Sequence, residues 1–222
     1  MGGKSYDQYC GIAAALDRVG DRWTLLILRE LSFGEQRFTD LRAALPGIAT
    51  NLLTERLRDL EGSGMVRQRE LPAPAARTVY AMTDEGRRIV PVLRALAQFG
   101  LPLLGDPVEG KVRARTAVYG GLGAMLDPAA ASGVDLRIRL DLDGEELWLE
   151  VRNGRLVRPD KAAKPDLVVA GSAAALVELC RGADPASLEP RLRLEGTKAA
   201  RSAFRRIFPV PELVSTGSTS AG

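Results

Sequence analysis

The chain has 222 residues, 45% hydrophobic and 27% charged, with a formal net charge of +3 and no histidine. This length buries a sizeable core in one large or two small domains, and two is the expectation; the apolar runs are too short to span a bilayer. Without histidine, the commonest metal ligand and the commonest general base near neutral pH are both missing, so neither a metal nor a cofactor is expected.

The first hundred residues read as helices interrupted by one hairpin. YCGIAAALDRV is apolar at helical spacing and stops at Gly20. Asp21 is placed to cap RWTLLILREL, which is apolar on nearly every side and therefore expected at the centre of a core. SFGEQ is a turn, and RFTDLRAAL a short helix ended by Pro46-Gly47. A helix with leucines at regular spacing follows in LPGIATNLLTERLRDLEGSGMV, entered at Pro-Gly and left at Gly-Ser-Gly. From Met65 the apolar period becomes two: MVRQREL and TVYAM flank PAPAAR, a hairpin with a proline-stiffened tip. Thr83 caps DEGRRIVPVLRALAQFG, in which Pro91 removes a backbone hydrogen bond and kinks the helix near Arg87. Pro and Gly cluster in LPLLGDPVEG, which marks a domain boundary.

Past this boundary, ARTAVYGGLGAML is a helix weakened by glycines. Strict alternation in VDLRIRLDLDGEELWLEVRNGRL predicts a hairpin turned at Asp143-Gly144. Counting outward pairs Leu140 with Leu147, Ile138 with Leu149 and Leu136 with Val151. The other face then sets Arg137 against Glu150 and Asp135 against Arg152, so both faces agree on one register. Asn153-Gly154 is a second turn, PDLVVAG another strand, and Ser172 caps AAALVELCRG. PRLRLEG is a short strand, TKAARSAFRRIF a last helix, and residues 211–222 read as a disordered tail.

On a helical wheel of about 100° per residue, Leu53, Leu57 and Leu60 share one face, with Asn51, Glu55 and Arg58 opposite and Thr50 and Thr54 on a flank. Such a face is either solvated or reads a partner. Short helix, Pro-Gly turn, second helix and then a hairpin with an arginine at its tip is the order of a winged helix-turn-helix, whose second helix enters the major groove. Amides and hydroxyls suit base edges, and arginine suits guanine or phosphate. Glu55 either accepts from a cytosine amino group or pairs with a neighbouring arginine.

From about Cys10 to Phe99 the chain resembles the HxlR family of bacterial transcriptional regulators, relatives of MarR. The resemblance rests on the N-terminal cysteine, DRWTLLILREL, RFTDLRAALPGI, LTERLRDLE, the GMV strand, the proline-rich wing ending in arginine, and MTDEGR. It implies a homodimer built on the first and last helices of the domain, reading a pseudo-palindromic operator in double-stranded DNA, most often as a repressor. Carried over by position, Thr50, Asn51, Thr54 and Arg58 read bases or phosphates. Arg22, Arg37, Arg56 and Arg77 are candidate phosphate or minor-groove contacts. The chain has ATN where the family often has Ser-Gln-Lys, which alters the expected operator. Cys10 takes the position of a cysteine that senses electrophiles or oxidants in some members; it is either such a sensor or a packing residue. Cys180 and Trp23 are expected in cores.

The second half resembles the sterol-carrier-protein-like fold, a five-stranded, mainly antiparallel sheet with helices on one face, from about Arg113 to Phe208. In that fold an apolar ligand can lie between sheet and helices. Leu122, Met125, Leu136, Ile138, Leu140, Leu147, Leu149, Val151 and Phe204 would line such a pocket, or else fill an ordinary core. Trp148 alternates onto the opposite face beside Arg139.

The expected fold class is therefore α+β: a winged helix-turn-helix domain over residues 1–104, a linker over 105–112, and a sterol-carrier-like domain over 113–210. The expected function is a DNA-binding regulator, with a C-terminal domain that senses a small apolar or amphipathic effector. The other class in view is a lipid or small-molecule carrier, or an interaction module, whose winged helix makes protein contacts. An enzyme is not expected, since no nucleophile elbow, phosphate loop, paired carboxylates or metal spacing occurs: YGGLGAM follows no strand and lacks the lysine of a phosphate loop. The N-terminal residues lack the basic and apolar regions of a secretory signal, so a cytoplasmic location without membrane attachment and with free thiols is expected.

Overall fold

A computed structural model describes residues 5–71, 77–157 and 164–209. The chain divides into two compact units, Met1–Leu93 and Arg94–Gly222. The cut falls inside the helix Val90–Gly100, and the wing tip and the C-terminal tail expected from the sequence lie outside the described residues.

The first unit is a winged helix-turn-helix. Its helices are α1 (Gly11–Val19), α2 (Thr24–Ser32), α3 (Phe38–Ala44) and α4 (Thr50–Gly62); the hairpin β1 (Val66–Leu71) and β2 (Arg77–Met82) follows, and then α5 (Asp84–Arg87) and α6 (Val90–Gly100). Ile27, Leu28 and Leu31 of α2 are buried with Leu41, Leu53, Leu57 and Leu60, so α2 is central, although Leu26 stays exposed on its outer side. Gly47, with φ of +90°, turns α3 into α4.

Asp21 is not the cap of α2. Its carbonyl accepts the Thr24 N–H at 3.1 Å, Trp23 adopts a left-handed backbone at φ +79°, and the helix begins only at Thr24. The Asp21 carboxylate instead pairs with Arg56 at 3.5 Å. The Trp23 side chain packs against the core.

The expected kink at Pro91 is a full break, with Arg88 and Ile89 in a turn between α5 and α6. MTDEGR acquires a physical meaning here. Thr83 Oγ1 accepts the Gly86 N–H at 3.0 Å, and the Thr83 hydroxyl donates to the Gly64 carbonyl at 2.6 Å. A Cβ on Gly86 would lie 2.0 Å from the Met65 carbonyl oxygen, so only glycine lets α5 close against the start of β1.

The second unit is α+β. Its sheet contains β3 (Asp135–Leu142), β4 (Glu145–Arg152), β5 (Arg155–Val157), β6 (Leu167–Gly171) and β7 (Leu192–Gly196) in the order β5-β4-β3-β6-β7, antiparallel except for β3 with β6. Every expected pair of the β3–β4 hairpin is present. Asp143 and Gly144 take φ of +51° and +81°, the primed turn the sequence requires.

The glycine-weakened helix is α7 (Ala114–Thr116), a π-helical stretch (Ala117–Leu122) and α8 (Gly123–Met125). Gly121 packs against α9 (Ala173–Cys180), where a Cβ would lie 3.4 Å from Cys180 Sγ. Ser172 caps α9, accepting the Ala175 N–H at 3.1 Å. The last helix, α10 (Lys198–Ile207), buries Ala200, Phe204 and Ile207. The Phe204 ring is 5.0 Å from that of Phe208. Residues of the expected 105–112 linker are bonded to the rest of the second unit: Arg181 donates to Asp106 at 3.3 Å, and Ser172 Oγ donates to Glu109 at 3.0 Å.

Candidate nucleic-acid interface

The outer face of α4 is held outward by the burial of Leu53, Leu57 and Leu60, at most 1% exposed. Thr50, Asn51, Thr54 and Arg58 are all exposed on this face. The Thr54 hydroxyl donates to the Thr50 carbonyl at 3.0 Å, so its remaining capacity is its acceptor lone pairs and a methyl group. Such a group suits a base amino donor or the thymine methyl. Asn51 and Arg58 make no side-chain hydrogen bond or ion pair among the described residues, leaving both the amide and the guanidinium unspent.

Arg56 departs from its expected role. Its side chain is 14% exposed, and its guanidinium pairs with Asp59 at 2.8 Å, Glu55 at 3.0 Å and Asp21 at 3.5 Å. Three carboxylates leave it little positive field for a phosphate, and it braces α4 against the α1–α2 turn. The net rise in its pKa follows from these carboxylates, although burial, the largest single influence, opposes the charge. Of the two partners open to Glu55, the arginine is the one it takes.

The remaining expected contacts come from other elements. Arg22, exposed in the α1–α2 turn, lies over the Trp23 ring at 5.6 Å. Arg37 is exposed at the start of α3, its backbone N–H donating to Asp40 Oδ2 at 3.3 Å. Arg77 is exposed at the start of β2, opposite Leu71. The wing is anchored by Gln36, which sequence pattern did not single out. Its N–H donates to the Tyr80 carbonyl at 3.0 Å and its carbonyl accepts the Tyr80 N–H at 2.7 Å. This two-bond bridge gives the hairpin a third edge, and a single bridge leaves no alternation in the sequence to find it by.

Cys10 sits exposed at the N-terminal boundary of α1, and the backbone N–H groups of Ala13 and Ile12 hold its thiol below the ordinary range. Cys180 is the opposite case, buried and pushed up to about 12 by desolvation. The apolar residues expected to line a pocket in the second unit are packed as a core. Except for Met125 they are buried, several at 0–1% exposure, whereas a water-sized cavity would leave its lining accessible. An open cleft of about 710 Å³ lies beside Asp135, Asp166, Glu195 and Thr197, and of the nine expected residues only Leu136 borders it. Trp148, expected on the opposite face of the sheet, is buried there, and its Nε1 donates to Glu146 at 2.8 Å. Among the described residues, no helix is long and apolar enough to cross a membrane and no cluster of metal-ligating side chains occurs.

Comparison with known proteins places this geometry. A family model described as HxlR-like helix-turn-helix matches residues 18–105. An uncharacterized HTH-type transcriptional regulator of Methanothermobacter thermautotrophicus is 34% identical over 95 residues, 42% of this chain and 72% of that protein. The HTH-type regulator YvaP of Bacillus subtilis is 36% identical over 38% of this chain and 79% of its own length. The regulator sll1512 of Synechocystis is 41% identical over 41% of this chain and 67% of its own. The family match runs from the end of α1 to just past α6.

Proposed function

We propose, from the premise that this chain belongs to the HxlR-like helix-turn-helix family, that it is a transcriptional regulator that binds double-stranded DNA as a homodimer and represses from a pseudo-palindromic operator. The observation that carries this reading is the outer face of α4, where Asn51 and Arg58 are exposed and unpaired beside Thr50 and Thr54. Asn51 would read adenine, Arg58 guanine or phosphate, and Arg22, Arg37 and Arg77 would hold the backbone. The dimer is supported by apolar side chains left in solvent on the first and last helices of the domain: Ile12 and Leu16 on α1, and Val92, Leu96 and Phe99 on α6.

Two inputs fit this reading. An exposed, amide-stabilised thiol at Cys10 supports sensing of electrophiles or oxidants. In the second unit, the packed interior supports an ordinary core over a standing apolar pocket, so a small apolar or amphipathic effector would have to open that core to act. It would alter repression only by binding one dimer geometry better than another.

The test is binding of the purified chain to its own upstream DNA against scrambled DNA, titrated with salt. Sequence-selective binding with a steep salt slope, weakened in Asn51→Ala and in Arg77→Ala, is the expected result. Equal binding to scrambled DNA, with no sequence enriched from a random pool, would overturn it.

A further inference from the structure

The recognition helix is poor in positive charge. α4 carries Glu55, Asp59 and Glu61 against Arg56 and Arg58, and Arg56 is already committed to carboxylates. The helix that is rich in charge lies in the other unit. α10 reads KAARSAFRRI, with four cations and no carboxylate. Lys198, Arg201, Arg205 and Arg206 are all exposed, and none has an ion-pair partner among the described residues.

Burial of Ala200, Phe204 and Ile207 fixes which way these cations point. At about 100° per residue, Lys198, Arg201 and Arg205 fall within roughly 60° of one another, on an exposed flank centred about 125° from the buried side. The carboxylates on the cleft beside α10 are Asp135 of β3, Asp166 just before β6 and Glu195 of β7. They line the cleft with Lys164, Ala199, Ala200 and Ala203, on the flank turned away from the cationic stripe, and of the α10 cations Arg206 is the nearest to that flank on the wheel. The stripe from Lys198 to Arg205 is about 10 Å long at roughly 1.5 Å per residue. Duplex DNA presents one phosphate charge per about 1.7 Å of axis, enough for each of the three cations to find its own phosphate.

We propose that the outer face of α10 is a second, sequence-independent DNA contact, in which Lys198, Arg201 and Arg205 bind the phosphate backbone. Its partner is argued from charge complementarity, and the proposal rests on the DNA-binding reading of α4. The two helices divide the work: α4 discriminates between sequences with little net attraction, and α10 attracts any duplex and discriminates nothing.

The experiment uses the full chain and the triple variant Lys198→Gln, Arg201→Gln, Arg205→Gln. Glutamine keeps helix propensity and these positions are exposed, so circular dichroism and thermal melting should match the wild type. The probes are a random-sequence 30-base-pair duplex and the duplex enriched by the wild-type chain from a random pool. The variant should bind both duplexes about tenfold or more weaker, with the slope of log affinity against log salt reduced by about 2–3 per chain, and with the ratio between duplexes unchanged. An unchanged slope on both duplexes overturns the proposal while leaving the α4 reading intact. Loss of selectivity alone in Asn51→Ala, with its salt slope kept, supports the division of labour. Wild-type chain that binds neither duplex overturns both. Binding to phosphatidylserine vesicles that the variant loses, with its DNA slope unchanged, assigns the stripe to a membrane and overturns it as well.

Discussion

α4 and α10 solve the same packing problem and finish with opposite surfaces. Each buries a stripe of three apolar residues, Leu53, Leu57 and Leu60 in one and Ala200, Phe204 and Ile207 in the other. The outer face of α4 is amide, hydroxyl and balanced charge, whereas that of α10 is cationic along its length. Burial decides that each is a helix with one face outward. What the outward residues are decides whether the helix can tell one base pair from another or only one charge from another.

The largest effects should come from the shared feature, the buried stripe. Phe204→Ala should cost about 3–5 kcal/mol and Leu57→Ala about 2–5 kcal/mol, read as lower denaturant midpoints for the unit that holds each residue. If either is silent, that helix does not depend on its stripe. The outward faces come next. Asn51→Ala should remove about 1–3 kcal/mol of discrimination between the selected duplex and one altered at the contacted base pair. Arg58→Ala should lower affinity and, if Arg58 lies on a phosphate, reduce the salt slope by about 1. Arg56→Ala separates bracing from reading: its thermal stability should fall while the discrimination ratio of the folded protein stays unchanged. Equal loss of discrimination would return Arg56 to the interface.

The two cysteines give the smallest and most local contrast. Iodoacetamide should modify Cys10 rapidly, with a midpoint below the ordinary thiol value, because the α1 amides favour its thiolate. Cys180 should stay unmodified in the folded protein. Its pKa is raised to about 12 from 9.0, so its contribution to stability is complete below about pH 9 and is lost as pH rises from there toward 12. Cys180→Ala should flatten that part of the stability curve, and an unaltered curve would mean that the thiol is not desolvated.

The sequence by itself determined most of the local structure. The alternation of VDLRIRLDLDGEELWLEV and its turn leave one register in which apolar and charged faces both match, and that register is the one observed. The leucine spacing of α4, the Thr83 and Ser172 caps and the exposure of Asn51 and Arg58 were equally legible, because each depends on residues within a turn or two. Only the tertiary structure decided the rest. Asp21 had the right chemistry for a cap, but its carboxylate is drawn to Arg56, 35 residues away. Arg56 looked like a phosphate contact until three carboxylates from two elements converged on it. A row of leucines reads the same whether it lines a cavity or fills one, and packing density settles that after the helices are in place. Residue type and period fix which way a side chain points, but its partner is set by what the chain brings back to it.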